Sequence, residues 1–309
     1  MKNELAFVFP GQGSQQLGML ADLAETHSVI EETFAEASEV LGYDLWALVQ
    51  NDAEKLNQTD KTQPALLTAS VALWRLWQQE GGAQPAYVAG HSLGEYSALV
   101  CSGVMAFEDA VNLVRLRGEY MQQAVPAGEG AMAAIIGLAD DQVVAACEGV
   151  EGVVSAVNFN SPGQVVIAGH VAPVEAAMAA AKEAGAKRAL PLPVSVPSHC
   201  ELMIPAGQKL AHDLEKIEFS APNCTLIQNV TAKAESDPAQ LKANLLAQLS
   251  EPVLWTQTVA LLSDLGVTQT LECGPGKVLS GLNKRIVKGL GAATIADAAS
   301  FDAAISENK

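Results

Sequence analysis

The sequence predicts an α/β protein: a large parallel-sheet domain interrupted by a smaller segment of mixed strands and helices. Three observations lead there. Towards both ends of the chain, short apolar runs alternate with segments of helical period, the rhythm of a parallel sheet covered on both faces. The middle of the chain instead spells βαββαβ. The 309 residues are 49% apolar and only 17% charged, which supplies a sizeable interior and argues against disorder.

Residues 5–9 (Leu-Ala-Phe-Val-Phe) read as a buried strand, stopped by Pro10 and the turn from Gly11 to Ser14. Helices are expected over 28–41 and 64–80, the second ended by Gly81-Gly82. Residues 86–89 form a short strand running into Gly90, with a helix starting near Ser92 and another over 107–124. After Gly128 the rhythm changes: strand 131–136, helix 140–148, strands 153–158 and 164–168, helix 171–184, strand 187–194. The flanks 126–130 and 191–197 read as hinges. The large domain then resumes with a helix over 201–216, a strand at 224–230, helices over 239–249 and 255–265, a strand at 267–272 and a terminal helix over 277–289. The expected division is 1–127, 128–196 and 197–309. The fold class is therefore α/β, with an α/β-hydrolase-like parallel-sheet domain and an inserted ferredoxin-like small domain.

Composition narrows the function classes. With 35 acidic and 18 basic residues the net charge is -17, which disfavours a general nucleic-acid surface. No apolar run reaches 18 residues, and the chain opens with Lys2 and Glu4 rather than a signal-type segment, so a cytoplasmic protein without membrane attachment is expected. The five cysteines, Cys101, Cys147, Cys200, Cys224 and Cys273, form no C-x-x-C pair; they suit a reducing compartment and no structural metal. Cys200 lies beside His199, but adjacent residues rarely share the geometry of a dyad.

Gly90-His91-Ser92-Leu93-Gly94 matches G-x-S-x-G, in which a serine sits at the apex of a strand-to-helix turn. It is either a nucleophile elbow or a structural turn, and the apolar strand before it favours the elbow. A neutral hydroxyl needs a base. Among the five histidines, His27 and His212 lie in polar helical contexts, and His170 has no evident chemical neighbour. His91 adjoins Ser92, where the backbone points the two side chains apart, and suits a pocket wall. His199, held by Pro197 where the chain returns from the small domain, is the candidate base; the alternative is a helix-start residue. No acidic third member stands out, and a carbonyl accepting from the imidazole would serve to fix its tautomer.

Oxyanion donors are expected from Leu93 N–H, just after the serine, and from Gln12 N–H in the loop after strand 5–9. A phosphate cradle competes for that loop, but neither the Walker pattern nor G-x-G-x-x-G is present. Arg117 falls on the apolar face set by Phe107, Ala110, Val114 and Met121. It either pairs with an internal carboxylate or is aimed into a pocket at a substrate carboxylate.

These residues together resemble the malonyl-CoA:acyl carrier protein transacylases of bacterial type II fatty acid synthesis, close to the gammaproteobacterial form. The resemblance rests on Phe9-Pro10-Gly11-Gln12-Gly13-Ser14-Gln15, Thr62-Gln63-Pro64-Ala65, Gly90 through Tyr96, Arg117-Gly118 and Asn160 through Gln164. It continues with Pro197-Ser198-His199, Gln228-Asn229-Val230 and Glu272 through Gly276. It implies an acyltransferase with Ser92 as nucleophile, His199 as base, the Gln248 carbonyl orienting that base, and amides of Gln12 and Leu93 around the oxyanion. It also implies that Arg117 binds the malonyl carboxylate and that His91 and Asn160 shape the cleft. Malonyl-CoA and holo acyl carrier protein would be the substrates, lipid metabolism the setting, a monomer the working form, and no metal or cofactor would be needed. A serine hydrolase or thioesterase is the alternative. Since acyl carrier proteins are acidic like this chain, docking needs local positive charge, for which Lys187-Arg188 and Lys284-Arg285 are the candidates if they flank the mouth between domains.

Overall fold

The computed structural model describes residues 1–194 and 196–309; Ser195, inside the expected hinge 191–197, lies outside the described residues. Among the described residues ten strands run in the order β1 (Lys2–Phe9), β2 (Pro85–Gly90), β3 (Gly130–Ile136), β4 (Val154–Ser161), β5 (Gln164–His170), β6 (Arg188–Pro191), β7 (Thr225–Gln228), β8 (Lys233–Glu235), β9 (Gln269–Glu272) and β10 (Gly291–Thr294). They form two sheets, ordered β10-β9-β1-β2-β7-β8 and β4-β5-β3-β6.

Strand β1 shows why the larger sheet is buried on both sides. Its Leu5, Phe7 and Phe9 enter one apolar cluster, while Ala6 and Val8 enter another on the opposite face. Phe7 packs edge-on against Trp74 and Trp77 of helix Thr59–Gln79, with ring centroids 5.3 and 5.2 Å away. That helix was expected from residue 64. It begins at Thr59 and carries Pro64 in its second turn, because burial along nearly its whole length outweighs one lost N–H.

The expected fold is corrected on two points. The larger sheet is not the purely parallel sheet expected: β10, β9, β1, β2 and β7 are parallel, but β8 returns antiparallel on β7 and makes the sheet mixed. The segment Thr231–Ala232 turns the chain there, with Ala232 at φ 48°. Nor is the second sheet a ferredoxin-like insert standing apart. Strand β4 continues into the larger body through Phe159 N–H to Val253 O at 3.0 Å and Val253 N–H to Val157 O at 2.8 Å. The architecture is an α/β fold with one mixed and one antiparallel sheet. The region after 286 also differs: β10 and helix Ala298–Glu307 close the chain where a single terminal helix over 277–289 was expected.

Four adjacent parallel strands, β9, β1, β2 and β7, deliver their C-terminal ends to one edge of the larger sheet. Loops leaving that edge are where an α/β sheet places its ligands. They carry Gly11–Ser14, His91–Leu93 and Asn229.

Candidate active site

Strand β2 ends at Gly90, and helix Gly94–Cys101 starts four residues later, leaving Ser92 alone at the apex with φ 52°. A non-glycine residue there is strained and persists only if its surroundings hold it. The glycines make the turn sterically possible: a Cβ on Gly90 would strike the Gly94 carbonyl, and one on Gly94 would strike the Phe9 carbonyl.

Ser92 Oγ lies 2.7 Å from His199 Nε2. His199 Nδ1 lies 2.6 Å from the Gln248 backbone oxygen. A carbonyl only accepts, so Nδ1 carries the proton and Nε2 is left to accept from the serine hydroxyl. Gln248 follows the last turn of helix Pro238–Ala247, where carbonyls lack intrahelical partners, which frees this one for the imidazole. Burial, followed by the positive charge of Arg117, pushes His199 down to about 3, so the ring is neutral at physiological pH. His199 itself sits at φ 65° and donates its backbone N–H to Leu249 O at 3.0 Å.

Arg117 is 2% exposed and makes no ion pair among the described residues. Its Nη1 donates to Gln63 Oε1 at 2.9 Å, and its Nη2 donates to Gln248 Oε1 at 3.1 Å and to Ser92 Oγ at 3.3 Å. The guanidinium carbon lies 5.3 Å from the Tyr96 ring centroid, and Nε has no partner among the described residues. Its charge is thus cushioned by amide oxygens and a ring face, with donor capacity left over. Burial lowers its pKa from the ordinary value.

These groups border a cleft of about 300 Å³. Gln12, Leu93 and His91 line it from the larger sheet, Met132 and Asn158 from the smaller one. The backbone N–H groups of Gln12 and Leu93 have no protein acceptor among the described residues. His91 Nε2 lies 2.7 Å from Asn160 Oδ1, its ring stands 5.6 Å from Trp255, and burial lowers its pKa. His91 thus lines the cleft beside the serine, whereas Asn160 does not line it and reaches it only through its contact with the His91 ring.

The two basic pairs lie elsewhere. None of Lys187, Arg188, Lys284 and Arg285 lines the cleft. All four are exposed, and they converge at the far end of the smaller sheet: Arg188 pairs with Ile136, Ile136 with Gln164, and Arg285 Nη1 donates to Gln164 Oε1 at 2.8 Å. The cleft is reached from the start of β3 through Met132, roughly 13 Å along the strand from Ile136.

Several residues of the site had no role assigned from sequence. Asn229 Oδ1 accepts the Ser92 N–H at 2.7 Å, and its Nδ2 donates to Gly90 O at 2.5 Å. Gln63 holds Arg117, and Glu95 accepts from Asn229 N at 2.9 Å and from Gln248 Nε2 at 3.1 Å. The available signal was position: polar residues at the ends of apolar strands, or just after the elbow, with no solvent-facing period.

Comparison with known proteins places this geometry in a family. The model of the acyl transferase domain matches residues 6–299. A malonyl CoA-acyl carrier protein transacylase of Salmonella typhimurium is 61% identical over 98% of this chain and 99% of its own. The crystal structure of an acyl carrier protein S-malonyltransferase from Vibrio cholerae superposes with a TM-score of 0.96 at 63% identity, over 97% of this chain and 99% of that one. A malonyl-transacylase solved in complex with its type II PKS acyl-carrier protein gives 0.97 at 59% identity, over 99% of this chain and 100% of that one. With a serine, a neutral histidine and an unpaired arginine on one cleft, and likeness along almost its entire length, this chain belongs to the acyl transferase family and, within it, to the malonyl CoA-acyl carrier protein transacylases.

Proposed function

We propose that this protein moves a malonyl group from malonyl-CoA to the phosphopantetheine thiol of holo acyl carrier protein, through an ester on Ser92, to supply fatty acid synthesis. The observation that carries this reading is the Ser92–His199 contact of 2.7 Å beside a buried Arg117 that forms no ion pair among the described residues.

In the first half-reaction Ser92 Oγ bonds to the thioester carbon while its proton passes to His199 Nε2. The resulting oxyanion is held by the N–H groups of Leu93 and Gln12. The C–S bond then breaks, and the departing sulfur takes the proton back from His199 as CoA thiol. In the second, the carrier's thiol gives its proton to His199, attacks the ester, and leaves as malonyl thioester when the proton returns to Ser92. The Gln248 carbonyl holds His199 Nδ1–H throughout and keeps Nε2 as the exchanging nitrogen. Arg117 receives the malonyl carboxylate; the acylated Oγ is still able to accept but no longer has its own proton to give. His91 bounds the acyl pocket, with Asn160 fixing its ring from behind. The setting we propose is the cytoplasm; no helix among the described residues is long and apolar enough to cross a membrane. We further divide the chain at 127/128 and 196/197, since all strands of the smaller sheet fall in the middle segment.

The test is intact mass after mixing with malonyl-CoA. An adduct that persists without thiol and clears on adding holo carrier is the expected result. Release of free malonate at the same rate with or without carrier would instead make the protein a thioesterase.

Replacing Arg117 by alanine is expected to lower kcat/KM for malonyl-CoA relative to acetyl-CoA. A desolvated charged hydrogen bond is worth about 2–5 kcal/mol, so the ratio of the two should fall by about 30- to several thousand-fold. An unchanged ratio in a folded variant returns Arg117 to a structural role. The four basic residues do not line the cleft, so carrier docking around Lys187, Arg188, Lys284 and Arg285 rests on their convergence at the far end of the smaller sheet alone. Reversing both charges of one pair should raise KM for the carrier by about tenfold and flatten its salt dependence, with little change in acylation by malonyl-CoA. Equal loss in both half-reactions would remove that surface from docking.

A further inference from the structure

One carboxylate sits behind the whole catalytic assembly. Glu95 is the first residue after the elbow's second glycine, and it is 1% exposed. Its side chain makes no hydrogen bond to Ser92 Oγ, and Glu95 is not among the residues that line the cleft. Its Oε2 accepts from Asn229 N at 2.9 Å and from Gln248 Nε2 at 3.1 Å, and its Oε1 accepts from Gln228 Nε2 at 2.9 Å. Every neighbour is a donor, the set an ionised carboxylate requires and a protonated one does not fill.

Two of these three partners, Asn229 and Gln248, are also the residues that hold Ser92. Asn229 Oδ1 takes the Ser92 N–H at 2.7 Å, and Gln248 Nε2 gives to the Ser92 carbonyl at 2.9 Å. Both backbone polar groups of a residue strained to φ 52° are therefore held by two residues that one carboxylate anchors, Asn229 through its main-chain N–H and Gln248 through its side-chain amide. Gln248 also carries the site's other attachments: its backbone oxygen meets His199 Nδ1, and its Oε1 meets Arg117 Nη2.

We propose that Glu95 is a positioning residue for acyl transfer, one buried carboxylate that holds the serine elbow, the acceptor of the base and the substrate-facing arginine in a common frame through Asn229 and Gln248. The proposal rests on the transacylase reading for its kinetic consequence and on the structure alone for its frame. Burial pushes this carboxyl up to about 7, opposed by the same three donors. A site that only needed packing here would be served by an apolar side chain.

Glu95→Gln keeps the shape and turns one oxygen into a donor, so at least one of Asn229, Gln248 and Gln228 loses its acceptor. Misplacement of reacting groups by about 1 Å costs on the order of 10²-fold. The variant should form malonyl-Ser92 about 10²-fold more slowly at saturating malonyl-CoA, with KM within about threefold, since Glu95 does not meet the substrate. The downfield proton resonance of His199 Nδ1–H should shift or vanish in the same variant. A parent-like rate overturns the proposal, as does a slower rate with that resonance unmoved. If Glu95→Gln does not fold, the same two readouts are taken on Glu95→Asp and on Gln248→Ala, which removes the limb but leaves the backbone acceptor. Both should change together, and parent-like values in both variants overturn it. A wild-type protein that forms no malonyl-Ser92 would overturn the transacylase reading instead, and the resonance comparison would still decide the role of Glu95.

Discussion

Ser92→Ala is expected to eliminate the malonyl-enzyme and reduce transfer to holo carrier by at least about 10⁴-fold. Removing the nucleophile of a serine enzyme takes away the covalent route itself and leaves only binding and oxyanion contributions, a loss on the order of 10⁶ in a well-measured case. The fold should survive. Alanine takes the same strained backbone at similar cost, and the Ser92 N–H and carbonyl keep their amide partners on Asn229 and Gln248. The groups left without the hydroxyl, His199 Nε2 and Arg117 Nη2, face the cleft. Intact mass with malonyl-CoA and a thermal melt decide the matter: an adduct on another residue, in a variant that melts like the parent, would displace Ser92 as nucleophile.

His199→Ala should slow both half-reactions by about 10²–10⁴-fold, the contribution of a positioned base. Equal slowing is the diagnostic, because one imidazole serves the serine proton in one direction and the carrier thiol in the other. Loss confined to one half-reaction would contradict a shared base. Its pH dependence follows from burial. With the ring held near 3, the acid limb of kcat/KM for acylation that reports this base should lie far below the ordinary histidine value of 6.5. The same shift has a stability sign. Between about 6.5 and 3 the unfolded chain binds a proton at this histidine that the folded one refuses, so its contribution is full above 6.5 and is lost as pH falls towards 3. Glu95 works in the opposite sense: its folded carboxyl is raised from 4.5 to about 7, so the folded state gains stability as pH falls through that interval. The alanine variant at 199 should therefore melt with weaker acid sensitivity below pH 6.5 than the parent. An unchanged pH profile of melting would mean that the imidazole is not held neutral by burial.

Much of this protein was legible before folding, and its legible parts are local. The apolar run 5–9, the glycines around Ser92 and the proline before His199 each state a backbone requirement within a few residues. So does the position of Arg117 on an apolar helix face, since helical period alone carries it inwards. From these the α/β class, the nucleophile elbow and the charge in the pocket could be read. The antiparallel β8 was missed because three residues with two charges offer no strand pattern of their own; it forms by pairing with β7. The tie of β4 to Val253 was missed because backbone bonds between distant segments leave no mark on side-chain type.

The same division runs through the site. By itself the sequence determined which residues have the chemistry: a serine at a strained turn, a histidine after a rigid approach, an arginine where an unpaired charge is costly. Only the tertiary structure decided their partners. The acceptor of His199 is a main-chain carbonyl 49 positions away, a group every residue possesses. Arg117 meets amide oxygens rather than an internal carboxylate, a choice among buried polar groups that spacing does not encode. The basic pairs converge at the end of β3 away from the cleft, because strand register placed Arg188 and Gln164 on either side of Ile136. Chemistry of this kind is a property of residue type and local backbone, whereas its alignment depends on hydrogen bonds that exist only once distant segments are packed together.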